Sequence, residues 1–187
     1  YLGNNTPAAA KGIMDIVQRI GPLGEVGGFA SGSIAALGAT IRGMGVAEEV
    51  AATGIKNMML ALVAGESATK GQHNAYIELG MDAKKVAQDM QKDAEGTTLS
   101  VLKAISKMDK YKQAAMLKEL FGSESLGSIS PLLTNMKALE DNLGKVADKQ
   151  KYAGSMEKEY AARAATTANK LKLAKHAASA LGITIGN

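Results

Sequence analysis

Apolar residues along this chain return at helical intervals, and the spacing divides it into short segments. Ile13, Ile16, Val17 and Ile20 share one helical face. Thr6-Pro7 suits the start of that helix, an oxygen cap followed by proline at the first helical position, and Gly21-Pro22 is expected to stop it. Next comes a ladder of small residues four apart: Gly24, Gly28, Gly32 and Ala36. If helical, it leaves a groove for close approach of another backbone; if not, it is a flexible connection, and spacing alone leaves both readings open. From Val46 the pattern is regular. Glu48 and Glu49 suit a first helical turn, Ile55, Met58, Met59, Leu62 and Val63 form its stripe, and Gly65 ends it. Ser67 is placed to cap a helix carrying Tyr76, Ile77 and Leu79 that stops at Gly80, and Asp82 to cap the next, with Val86 and Met90. Leu99, Leu102, Ile105 and Met108 mark another, and Met116, Leu117, Leu120 and Phe121 one more, ending at Gly122. No period-two stretch is long enough for a sheet. The prediction is an all-α fold, with orthogonally packed short helices over residues 1–129.

The remainder, residues 130–187, has a different rhythm. After Ser130-Pro131, another cap-and-proline pair, Leu132, Met136, Leu139, Leu143 and Val146 alternate in steps of four and three. Gln150, Ala153 and Glu157 then occupy the same phase with Gly154 among them, which predicts a break. Tyr160, Ala164, Thr167, Leu171, Ala174, Ala178, Leu181 and Ile185 resume the alternation, roughly 39 Å of helix at about 1.5 Å per residue. Two long helices with heptad-like seams are therefore expected, over 130–149 and 155–185, folded as a hairpin or nearly collinear. The alanine-rich second seam is thin and suits close contact with other helices.

Composition removes several kinds of chemistry. Among 187 residues there is no cysteine, which excludes thiolate catalysis, cysteine zinc sites and a disulfide framework. Aromatics are 4% of the chain, too few for a base-stacking platform. The net charge of +4 comes from residues 151–187, where six of eight charged side chains are basic. Without aromatic interleaving or a recognition motif these cations read as the solvated face of a helix. The alternative is a module binding nucleic acid or a membrane surface through Lys170, Lys172 and Lys175, with strongly salt-dependent affinity. His73 and His176 each lack a second metal ligand at helical spacing, and Ser31 lacks the strand-turn-helix setting of a nucleophile elbow. No glycine motif for phosphate is present, and Glu48-Glu49 and Glu140-Asp141 are explained by helix surfaces. The reading is a non-enzyme with no cofactor, metal or small-molecule substrate. The longest uncharged run, Val26 to Ile41, has 16 residues and several glycines, short of the roughly 20 that span a bilayer. The chain opens on Tyr1, so a piece of a longer protein is expected, with membrane contact only through segments outside it.

Several stretches, in order, resemble the phage tail tape measure protein family. The most specific is Ala168-Asn169-Lys170-Leu171-Lys172 followed by Ala180-Leu181-Gly182-Ile183-Thr184-Ile185-Gly186. Leu79-Gly80-Met81-Asp82, and Leu120-Phe121-Gly122 before a serine-rich turn, are similar in order and separation, as is Gly43-Met44-Gly45-Val46-Ala47-Glu48-Glu49. The resemblance marks Leu79, Gly80, Asp82, Phe121, Gly122, Asn169, Gly182 and Gly186 as matching structural positions. It implies a multi-copy helical scaffold of the virion tail, assembled in the host cytoplasm, that self-associates and meets tail tube and tail assembly proteins during length determination. On this reading Tyr160, Ala164, Leu171, Ala174, Ala178, Leu181 and Ile185 form the assembly seam, with Leu171, Leu181 and Ile185 its largest anchors.

Overall fold

Ten α-helices and two 3-10 turns make up the described residues, Leu2–Ala147, of the computed structural model. In order they are α1 (Leu2–Asn5), α2 (Ala10–Val26), α3 (Ser31–Gly43), α4 (Glu48–Val63), α5 (Lys70–Glu78), α6 (Ala83–Lys92), α7 (Ala94–Ser106), α8 (Lys110–Phe121), α9 (Leu126–Thr134) and α10 (Met136–Ala147). The turns are Gly65–Ser67 after α4 and Ser123–Ser125 after α8. The described residues contain no strand.

The stripe read from Ile55 to Leu62 explains why α4 sits at the centre. Ile55, Met58, Met59 and Leu62 are all buried, and α4 packs against α2, α3, α6, α8 and α9. One core cluster joins these residues to Ile16 and Ile20 of α2, Ile34, Leu37 and Ile41 of α3, Met90 of α6, Leu102 and Ile105 of α7, and Leu120 of α8. Each fully buried side chain of this size contributes about 1.5–3 kcal/mol relative to exposure. The first positions of the seam read from Leu132 also end here: Leu132, Leu139 and Leu143 are buried in the same core. Close approach at the α4–α9 crossing depends on Gly54, where a Cβ would lie 2.8 Å from the Ser128 Cβ.

The structure departs from the sequence expectation at several boundaries. Helix α2 begins at Ala10, because Thr6 builds a turn ahead of it: its hydroxyl donates to the Leu2 carbonyl at 2.9 Å and accepts from the Ala8 N–H at 3.3 Å. Pro22 does not stop α2 but lies inside it. Gly21 before it has no Cβ to meet the proline ring, and Gln18, whose carbonyl loses its usual i+4 donor, is exposed. The helix ends instead at Gly28 (φ 78°), where the Phe29 N–H reaches back to the Gly24 carbonyl at 2.8 Å. The small-residue ladder is therefore divided between α2, this turn and α3. Close approach occurs there all the same, since a Cβ on Gly28 would lie 2.7 Å from the Met90 carbonyl oxygen.

Thr69, not Ser67, caps α5. Its hydroxyl accepts from the Gln72 N–H at 3.1 Å while the Gln72 side chain accepts from the Thr69 N–H at 2.9 Å. Ser67 lies in the preceding 3-10 turn and donates to the Ala64 carbonyl. The single helix expected over 130–149 is likewise two. Pro131 lies inside α9, four residues after the exposed Gly127, and the break falls at Asn135. There the Asn135 side chain donates to the Pro131 carbonyl at 3.0 Å, and its own carbonyl accepts the Leu139 N–H that opens α10.

Candidate assembly surface

Five of the residues singled out by sequence lie at two helix corners. Between α5 and α6, Gly80 has φ 70°, the Met81 N–H donates to the Tyr76 carbonyl at 2.8 Å and the Gly80 N–H to Ile77 at 2.9 Å. This double closure needs a left-handed residue, which glycine supplies without strain. Leu79 packs against the core, and the Asp82 carboxylate accepts the Lys85 N–H at 2.8 Å, opening α6 two residues after α5 has closed. At the second corner, Phe121 is buried at the end of α8 and Gly122 has φ 85°. The Phe121 carbonyl accepts from the Ser125 hydroxyl at 2.7 Å, and that hydroxyl accepts from Asn57 of α4 at 3.1 Å. Gln72 of α5 donates to the Leu120 carbonyl at 2.8 Å. The two corners thus share α5. Tyr160, Ala164, Asn169, Leu171, Ala174, Ala178, Leu181, Gly182, Ile185 and Gly186 lie outside the described residues, as do His176 and the basic lysines.

Two open grooves mark the surface of this region. One, of about 390 Å³, runs between α5 and α8 and is lined by Ala75, Ala115 and Met116 together with Glu78, Lys112 and Glu119. The larger, about 750 Å³, lies along α6 and α7 and contains Asp82, Asp89 and Asp93. Those carboxylates already have partners: Asp82 caps α6, Asp89 accepts from the Lys85 ammonium at 3.1 Å, and Asp93 caps α7 through the Gly96 N–H at 2.9 Å. Asp82 and Asp93 thus open helices, while Asp89 makes an i,i+4 pair along α6. Nearby, Lys84 and Glu66 are 2.6 Å apart on the exposed surface. The ammonium holds the Glu66 carboxyl below its usual range, and the carboxylate raises Lys84. His73 is partly buried on α5, and Ser31 is exposed at the first position of α3. Among the described residues no cluster of three or more His, Asp or Glu is grouped to hold a metal ion, and no helix is long and apolar enough to cross a membrane.

Two polar devices were not anticipated from sequence. Asn142 of α10 is buried and donates to the Thr40 hydroxyl at 3.0 Å, which in turn donates to the Ala36 carbonyl at 2.8 Å, pinning α10 on α3. The signal was available: Asn142 lies three residues after Leu139 and four before Val146, on the apolar face. Arg42 secures the α3–α4 turn, donating to the Val46 carbonyl at 2.5 Å and pairing with Glu48 at 3.4 Å. Its guanidinium crosses Gly12, where a Cβ would come within 3.0 Å of Nε.

Comparison with known proteins places these corners in context. The sequence profile of the phage-related minor tail proteins matches residues 1–122, a span that contains the first corner and ends at Gly122 of the second. A "Probable tape measure protein" of Halomonas phage phiHAP-1 is 36% identical over 159 residues, which cover 85% of this chain. The chain spans 18% of that relative's length. No solved structure matches.

Proposed function

The chain belongs to the phage-related minor tail proteins, and from that membership we propose that it is a structural, non-enzymatic part of a phage tail tape measure protein, acting in tail assembly and in setting tail length. The observation that carries the reading is the 36% identity to a tape measure protein across 85% of the chain. In this reading the short-helix bundle expected over residues 1–129 extends through α10 to Ala147, the rest of the long-helix region expected over 130–187 follows it, and the parent protein is housed in the virion tail after assembly in the host cytoplasm. A scaffold of this kind works by lateral contact between helices, which the Tyr160 to Ile185 seam provides through small residues and three large anchors. Its partners are copies of itself and the tail tube or tail assembly proteins.

Replacing Leu171, Leu181 and Ile185 together by Asp in the full-length parent places three charges along that seam. The expected outcome in a phage complementation assay is loss of tails seen by electron microscopy, with the variant protein still accumulating in the cell. Normal tails from the triple variant would overturn the seam's role.

A further inference from the structure

We propose that residues 2–147 enter the tail as a folded knob, adding their own diameter and not their contour length to the distance the parent protein measures; this rests on the tape measure reading above. The two alternatives differ greatly in size. As one continuous helix, the 146 residues of Leu2–Ala147 would run about 220 Å at about 1.5 Å per residue. A compact body of that many residues is about 40 Å across.

Three features keep this stretch folded. Its helices from α2 onward are between 9 and 17 residues long, near or below the roughly 12–15 residues at which isolated helices become marginal in water. They persist through tertiary contact. A rod would also return to solvent a core that draws on α2 through α10, including Ile16, Ile34, Leu37, Ile55, Met58 and Leu102. Finally, the chain is built to turn: Gly28, Gly45, Gly65, Gly80 and Gly122 all have positive φ, and Thr69, Asp82 and Asp93 cap the helices that restart beyond such turns or beside them. By contrast, the four-three spacing from Tyr160 to Ile185 keeps a single seam whose one glycine, Gly182, comes only near its end, the pattern of a rod.

The test uses the full-length parent protein in assembling phage. A helical Glu-Ala-Ala-Ala-Lys repeat of about 40 residues, about 60 Å when helical, is inserted after Gly45, an exposed turn with no atom near its Cβ direction. The same insert is placed in a parent segment outside residues 1–187. The knob predicts unchanged tails from the first variant and tails longer by up to about 60 Å from the second. Equal lengthening from both overturns the knob while leaving the tape measure reading intact. Unchanged tails from both overturn the tape measure reading, and the knob with it. Should the Gly45 insertion halt assembly, replacing residues 2–147 by a linker of about ten residues decides. Shortening by no more than about 40 Å supports the knob, and shortening near 220 Å rejects it.

Discussion

Gly80 and Gly122 both sit at helix ends with positive φ, yet they answer to different constraints. Gly80 (φ 70°) has open space where a Cβ would point, so Gly80→Ala meets only the left-handed penalty, about 1 kcal/mol. Gly122 combines φ 85° with ψ 158°, a region essentially closed to other residues, and a Cβ there would lie 3.0 Å from the Glu124 carboxylate. Gly122→Ala is expected to cost about 1–3 kcal/mol, and urea unfolding of the two variants should rank it above Gly80→Ala. Tyr76 sets a second limit at this scale. Its hydroxyl donates to the Ala61 carbonyl at 3.1 Å, and burial pushes its pKa above the ordinary value of 10.0. The neutral form is therefore favoured in the folded state: this stability is fully present below the unfolded pKa and is lost as pH rises toward the folded one. From about pH 10 upward Tyr76 should contribute a loss of about 1.4 kcal/mol per pH unit, and Tyr76→Phe should flatten that part of the stability profile.

Helix ends are where stability and legibility meet at the scale of elements. Asp82 and Asp93 each accept a backbone N–H at the start of a helix, 2.8 and 2.9 Å away, so Asp82→Ala or Asp93→Ala should each cost about 0.5–2 kcal/mol in thermal unfolding. Asp82 was readable from sequence because it stands two residues after Gly80 and precedes an amphipathic run. Thr69 was missed in favour of Ser67 because the 3-10 turn at Gly65–Ser67 shifts the start by two residues, although Gln72 three positions on completed a capping box. Pro22 and Pro131 misled for a different reason. Proline breaks a helix through one lost hydrogen bond and one clash, and here the residue four positions earlier, Gln18 or Gly127, is exposed, so its freed carbonyl costs little. The apolar periodicity gave the buried face of α8 and all of the α4 stripe except Val63, which is only partly buried. The Asn142–Thr40 contact escaped because spacing places Asn142 on the apolar face but says nothing of its polar partner, which lies 102 positions away in sequence.

For the whole molecule, the methionines divide by position. Met58, Met59 and Met90 are fully buried in the shared core, whereas Met14 and Met44 are 60% and 51% exposed. Peroxide should thus convert Met14 and Met44 to sulfoxide quickly and leave the core three intact, a pattern that peptide mass spectrometry resolves site by site. The same division survives inside an assembled particle. If residues 2–147 stay folded there, Met58, Met59 and Met90 remain protected in intact tails. Their sulfoxides would accumulate only once this folded body loses its shape, so a cysteine-free chain carries in its thioethers a chemical clock for its own unfolding.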